Sequence, residues 1–231
     1  MNCYNFTHIN HNNQDKNRFI HNDEENTEKE DNTICIYWHP TSSEIGLLRE
    51  TWSDDIDFLY NIGSQIYIYI FEHNPDTIEL FPKIHKHGER WKDSPEFRAQ
   101  SLKFVQTLTM CIELLDKMDR MAENLRTIGE HHVQYAKRGF KPIYWNIFYD
   151  ALKFSLFDHL NSFIESSDQK YHDIINAWNK LAHYIITQMK RGYVHKLVKE
   201  FQEQDDTFSI WAGRHPSFSS ATHSKEKKQE K

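Results

Sequence analysis

The chain holds 15 histidines, and one of them, His132, sits where a histidine can do chemistry. It continues an apolar helical stripe of Met121, Leu125 and Ile128, spaced four, three and four residues apart. An imidazole on the buried side of a helix needs a partner, because an unpaired polar group in apolar surroundings costs about 1–3 kcal/mol. A backbone carbonyl or a metal ion would serve, and the residue pattern leaves both open. The neighbouring His131 lies about 100° around the helix, beside Asn124 and Thr127 on a polar face, and reads as solvated. His85 and His87 form an H-x-H pair without a second pair to complete a zinc site. His159 and His183 fall within helical segments where surface and core roles are both open.

Two further polar residues stand in apolar company. Gln100 lies between Phe97 and Phe104 at spacings of three and four. Tyr67, in Tyr67-Ile68-Tyr69, carries a hydroxyl that needs a hydrogen-bond partner if buried. Gly63 and Ser101 are small residues on the inner faces of two segments, which permits those helices to cross closely. Such a crossing brings Tyr67 and Gln100 toward one space.

The elements that must position these residues are amphipathic helices with recognisable start signals. Thr41-Ser42-Ser43-Glu44 has capping-box spacing, followed by Ile45, Leu48 and Trp52 on one face. A second helix is predicted over 56–72, with Leu59, Ile62, Gly63, Ile66 and Ile70 inward. Asn74-Pro75 starts a short helix ending near Leu80, and Ser94-Pro95 starts a longer one through Leu115. The helix bearing His132 ends before Gly139, and another follows Pro142. The last is the clearest: Tyr171, Ile174, Ile175, Trp178, Leu181, Ala182, Ile185, Ile186 and Met189 keep the 3.6-residue period. Nothing alternates with period two. The expected fold is all-α, with about seven or eight helices.

Composition narrows the function classes. A net charge of −6 supplies no basic field for nucleic acid. Cys3, Cys35 and Cys111 form an odd set without CxxC spacing, which argues against a disulfide framework and for a reducing, cytoplasmic setting. No apolar run is long enough to span a bilayer, and no secretory leader is evident. Residues 1–39 read as a disordered polar arm, with Ile34-Cys35-Ile36-Tyr37-Trp38 as a segment that tucks against the domain or docks elsewhere. Residues 40–200 read as the folded domain and 201–231 as a polar tail ending in a basic cluster, Lys225-Glu226-Lys227-Lys228.

Three stretches together resemble the globin family, over roughly residues 41–200. Ile70-Phe71-Glu72-His73-Asn74-Pro75-Asp76-Thr77-Ile78-Glu79-Leu80-Phe81-Pro82 is similar to the end of a globin B helix, the C helix and the CD corner, with six residues from Pro75 to Phe81. Phe97-Arg98-Ala99-Gln100-Ser101-Leu102-Lys103-Phe104 is similar to the distal part of an E helix. Ile128-Gly129-Glu130-His131-His132-Val133-Gln134-Tyr135 is similar to the F helix that carries the proximal haem ligand. Trp52 and Trp178 fit the first and last helices.

The resemblance implies a globin-like fold around haem b, with His132 as the iron ligand. It implies Phe81 wedged against the ring, Gln100 and Tyr67 on the distal side, and Phe104 over the porphyrin. Ile128, Phe140, Trp145 and Phe148 become wall residues. A macrocycle needs an apolar aromatic slot with one strong axial ligand and open space opposite; Phe81, Phe104, Ile128 and Phe148 suit such a slot. Tyr67 and Gln100 would then both donate to dioxygen, giving tight binding with storage, transport or scavenging as the role; CO and NO are further ligands. Two alternatives follow from the same pocket. One is nitric oxide dioxygenase or peroxidase-like activity with an external reductase, since the chain carries no Gly-rich nucleotide loop. The other is a redox or gas sensor whose tails carry ligand state to a signalling partner.

Overall fold

A computed structural model describes residues 37–161, 164–165 and 167–214, the stretch 205–214 by its backbone alone. The docking segment before Tyr37, most of the N-terminal arm and the basic cluster Lys225–Lys228 lie outside the described residues. Among the described residues the chain is all-helical, with seven α-helices and three 3-10 helices. The α-helices are α1 (Ser42–Glu50), α2 (Ile56–His73), α3 (Pro82–His85), α4 (Pro95–Glu113), α5 (Met118–His132), α6 (Tyr144–Asn161) and α7 (Gln169–Arg214). The 3-10 helices cover Pro75–Leu80, Gly88–Asp93 and Val133–Arg138.

Local chemistry sets the starts of these helices. The capping box at Thr41 forms, with Glu44 N–H donating to Thr41 Oγ1 and Thr41 N–H to the Glu44 carboxylate. Asp55 caps α2 by accepting from the amides of Asp57 and Phe58. Ser94 caps α4 by accepting from Phe97 N–H at 3.1 Å, with Pro95 in the first turn where its missing N–H costs nothing. The segment after Asn74-Pro75 does form, as a 3-10 helix ending at Leu80. The helix expected to run from Met121 toward Gly139 is a composite: α5 stops at His132 and tightens into 3-10 winding. Gly139, at φ 92°, then turns the chain out in the left-handed conformation that a glycine adopts most cheaply. The last helix starts at Gln169 and continues as backbone to Arg214.

The helices pack in two groups. α2 lies against α4 and α6, and α5 lies against α7, which also takes α1 and α6. Close crossings hold both groups. A Cβ on Gly63 would come within 2.5 Å of the Ser101 carbonyl oxygen, so α2 and α4 touch backbone to backbone there, as the two small residues imply. Gly129 and Gly192 make a second, tighter crossing, their missing Cβ atoms facing the carbonyls of Met189 and Arg126. Trp52 and Trp178 meet with ring centroids 5.6 Å apart, and the Trp178 indole donates to Thr51 Oγ1 at 2.9 Å. Leu48, Ile66, Val105, Met121, Leu125, Leu160, Ile174 and Leu181 are completely buried. Each such aliphatic side chain contributes about 1.5–3 kcal/mol. Trp38 packs against the core, edge-on to Tyr184, while Tyr37 beside it is exposed.

Candidate functional site

The apolar interior divides into two clusters. The larger includes Tyr67 and Phe71 of α2, with Phe81, Phe104 and Phe148 packed against it. The smaller gathers Val133, Trp145, Ile186 and Tyr193, with Phe140 and Leu197 beside them. His132 belongs to the second group. Its ring lies 5.3 Å from Phe140, 5.5 Å from Trp145 and 5.7 Å from Tyr135.

The imidazole has a defined tautomer. Nδ1 donates to the Ile128 carbonyl, 2.7 Å away and one helical turn back. Nε2 therefore carries the lone pair. Burial pushes the ring's pKa below its ordinary value of 6.5, an effect the Ile128 bond partly offsets and the charges of His131 and Lys103 reinforce. The ring is thus a neutral Lewis base at neutral pH. A carbonyl fixing one nitrogen so that the other can bind iron is the usual outer-shell arrangement for a metal-ligating histidine. The carbonyl and the metal, alternatives at the level of residue pattern, are compatible: the carbonyl takes one nitrogen and leaves the other.

The polar pair meets in the other cluster. Gln100 Nε2 donates to the Tyr67 hydroxyl at 2.8 Å, joining α4 to α2 beside the Gly63–Ser101 crossing. Tyr67 is buried, and desolvation, which outweighs the Gln100 bond, pushes its pKa from 10.0 up to about 12. It is therefore a neutral phenol that accepts from Gln100 and keeps its own O–H free to donate. Aromatic edges surround it: Phe71 at 5.7 Å, Phe81 at 5.5 Å and Phe104 at 6.2 Å, with Phe104 in turn 4.4 Å from Phe148.

The expected contact residues differ in exposure, with Tyr67 and Trp145 buried as deeply as the core. Phe81, Gln100, Phe104, Ile128, His132, Phe140 and Phe148 are all half-buried, whereas Ile66, Val105 and Leu125 close by in sequence are fully buried. Large apolar side chains left half-covered, beside a neutral imidazole with a lone pair, fit a flat apolar group with one nitrogen ligand. His131 is exposed, and His87 bonds the Glu96 carboxylate at 2.9 Å. Among the described residues no group of three His, Cys, Asp or Glu side chains is placed to hold a metal ion.

Several members of the site were not visible as such in the sequence. Phe71 bridges Tyr67 and Phe81, and Trp91 continues the row 5.2 Å from Phe71. Tyr193 backs Phe140 and Trp145 at 5.9 and 5.8 Å. Its position on the last helix, four residues beyond Met189 and seven beyond Ile186, was the available signal. Gly129 lies three residues before His132 and fixes how closely that helix lies on α7.

Comparison with known proteins agrees with this architecture. The family model described as globin matches residues 64–189, more than half of the chain. The globin-related protein glb-13 of Caenorhabditis elegans is 28% identical over 133 residues, covering 58% of this chain and 45% of that protein. The chain thus spans less than half the length of that relative. Among solved structures, a hexacoordinated heme protein from an anhydrobiotic tardigrade, determined at pH 4, superposes with a TM-score of 0.56 at 18% identity. That match takes in 67% of this chain and 95% of the other, and shows a shared fold.

Proposed function

The chain belongs to the globin family, and from that premise we propose that it holds haem b on His132 and reversibly binds dioxygen beneath Tyr67 and Gln100. The iron of the bound group would supply the site at which a diatomic gas is taken up. The protein's own residues do the rest. His132 would hold the iron through Nε2, its other nitrogen being fixed by the Ile128 carbonyl. Phe81, Phe104, Ile128, Phe140 and Phe148 supply apolar walls that hold a porphyrin and exclude water.

The observation that carries the oxygen reading is the Gln100–Tyr67 hydrogen bond. By donating to the phenol oxygen, Gln100 orients the Tyr67 O–H and makes it a better donor, because linked hydrogen bonds polarise one another. A buried, neutral, oriented O–H stabilises a ligand that gains negative charge on binding. Dioxygen gains such charge and CO gains less, so the pair favours oxygen and slows its release. Gln100 keeps a second amide hydrogen for the same ligand. Neither a neutral phenol nor a carboxamide would be a strong ligand to the iron, so the side they face would be left for a gas. Absorption spectra of the ferric, ferrous, oxygen and CO forms test this. A ferrous five-coordinate spectrum that shifts with both gases supports it; a six-coordinate ferrous spectrum, or no stable oxygen form, contradicts it.

A further inference from the structure

Beyond their crossing α2 and α4 separate, and the chain between them fills the gap. The helices touch at Gly63–Ser101, and one turn along α2 Tyr67 and Gln100 share a hydrogen bond of 2.8 Å. A further turn along, a third ring bridges Phe71 and Phe97: Trp91 lies 5.2 Å from the first and 5.0 Å from the second. At the open end stand two carboxylates, Glu72 on α2 and Glu96 on α4. Lys92 pairs with Glu72 at 2.5 Å, while Lys86 and His87 take the two oxygens of Glu96 at 2.6 and 2.9 Å. Residues 82–93 thus form a cover beside the distal pair. It starts next to Phe81, whose ring lies 5.5 Å from Tyr67, and buried Ile84 roots its first turn in the core.

The latches are of a kind that opens. The bond from Lys86 holds the Glu96 pKa down at about 2, so Glu96 is a carboxylate across the neutral range and His87 Nε2 is the donor. Lys86, Lys92 and Glu72 stay about half-exposed, and ion pairs in that setting are weak and screened by salt. Gly88, at φ 55°, supplies a left-handed turn inside the cover that a glycine adopts without strain. On the oxygen-binding reading of the space beside Tyr67 and Gln100, we propose that residues 82–93 are a gate for gas, latched by Glu72 and Glu96. Its opening sets how fast a diatomic ligand reaches and leaves that space. A gate on a path used in both directions changes entry and exit by the same factor and leaves affinity alone.

Laser flash photolysis of the CO form of the haem-loaded full chain, with CO dissociation read by displacement with nitric oxide, tests this. Glu72→Gln combined with Glu96→Gln should raise CO association and dissociation together, by about threefold or more, with CO affinity and the Soret band unchanged. CO carries no charge, so salt acts on these rates only through the protein. High salt should therefore speed the wild type toward the double variant and leave the variant flat. Lys86→Glu combined with Glu96→Lys rebuilds one latch reversed, and should be slower in both directions than Glu96→Lys alone. The gate is overturned, with the haem site left standing, by a double variant with wild-type rates or by a rise in dissociation without a matching rise in association. A wild type indifferent to salt overturns it too. A chain that forms no CO complex overturns the oxygen-binding reading and the gate with it.

Discussion

Tyr67 and Gln100 divide the distal work unequally. Gln100 spends one amide hydrogen on the phenol, so Tyr67 is the better-placed donor and Gln100 both orients it and adds a weaker contact of its own. Tyr67→Phe should therefore speed oxygen dissociation by about tenfold, the equivalent of one hydrogen bond of about 1.4 kcal/mol. Gln100→Leu should speed it less, and the double variant should fall short of the product of the two, because the residues act as one network. Stopped-flow displacement of oxygen by CO reads all three rates. The pH dependence follows from the phenol. Its pKa is raised to about 12, so the donor stays protonated in the folded protein above the ordinary tyrosine value of 10.0. Oxygen release should stay flat up to pH 10. Between 10 and 12 the unfolded chain releases this proton before the folded one, so Tyr67's contribution to stability should fall with rising pH.

At the scale of elements, the site depends on two backbone-to-backbone crossings. Gly63 against Ser101 sets α2 on α4 and so sets Tyr67 beside Gln100; Gly129 against Met189 and Gly192 against Arg126 set α5 on α7 beneath His132. A methyl at either crossing must push backbone aside, a strain of about 1–3 kcal/mol or more. Gly129→Ala and Gly192→Ala should lower the melting temperature more than Gly63→Ala, since their added carbons meet carbonyl groups more closely. Gly129→Ala should also weaken haem retention. Equal losses of thermal stability at all three positions would contradict this ranking. The Gly63–Ser101 crossing was legible in the sequence because both residues interrupt strongly apolar faces. Gly129 was not, because its partner is the backbone of a helix 60 residues away, and a periodic pattern carries no information on which faces meet. The 3-10 winding after His132 was hidden for a similar reason: Val133–Arg138 contains nothing that disfavours an α-helix before Gly139.

Across the whole molecule, the described core accounts for the pocket without the N-terminal arm. Every proposed haem and gas contact lies between Tyr67 and Phe148, and Trp38 is where the chain first packs against the core in the described residues. A chain lacking residues 1–36 should keep the Soret band and the oxygen dissociation rate of the full chain; a changed rate would place the arm in the ligand path. All-α class, helix starts and the identity of the paired groups could be read from caps, prolines and periodicity. The length of the last helix could not, because beyond Met189 buried Tyr193 and packed Leu197 alternate with exposed Val194, Val198 and Phe201, and the core-facing period breaks down.

The central claim is that His132 holds haem. Titrating haemin into the wild-type chain and into His132→Ala, and recording the reduced absorption spectra side by side, tests it most directly. The wild type should saturate at one haem per chain with a sharp Soret band and a five-coordinate histidine-ligated ferrous spectrum, and His132→Ala should bind weakly without that spectrum. A His132→Ala protein that takes up haem with the wild-type spectrum would contradict the account.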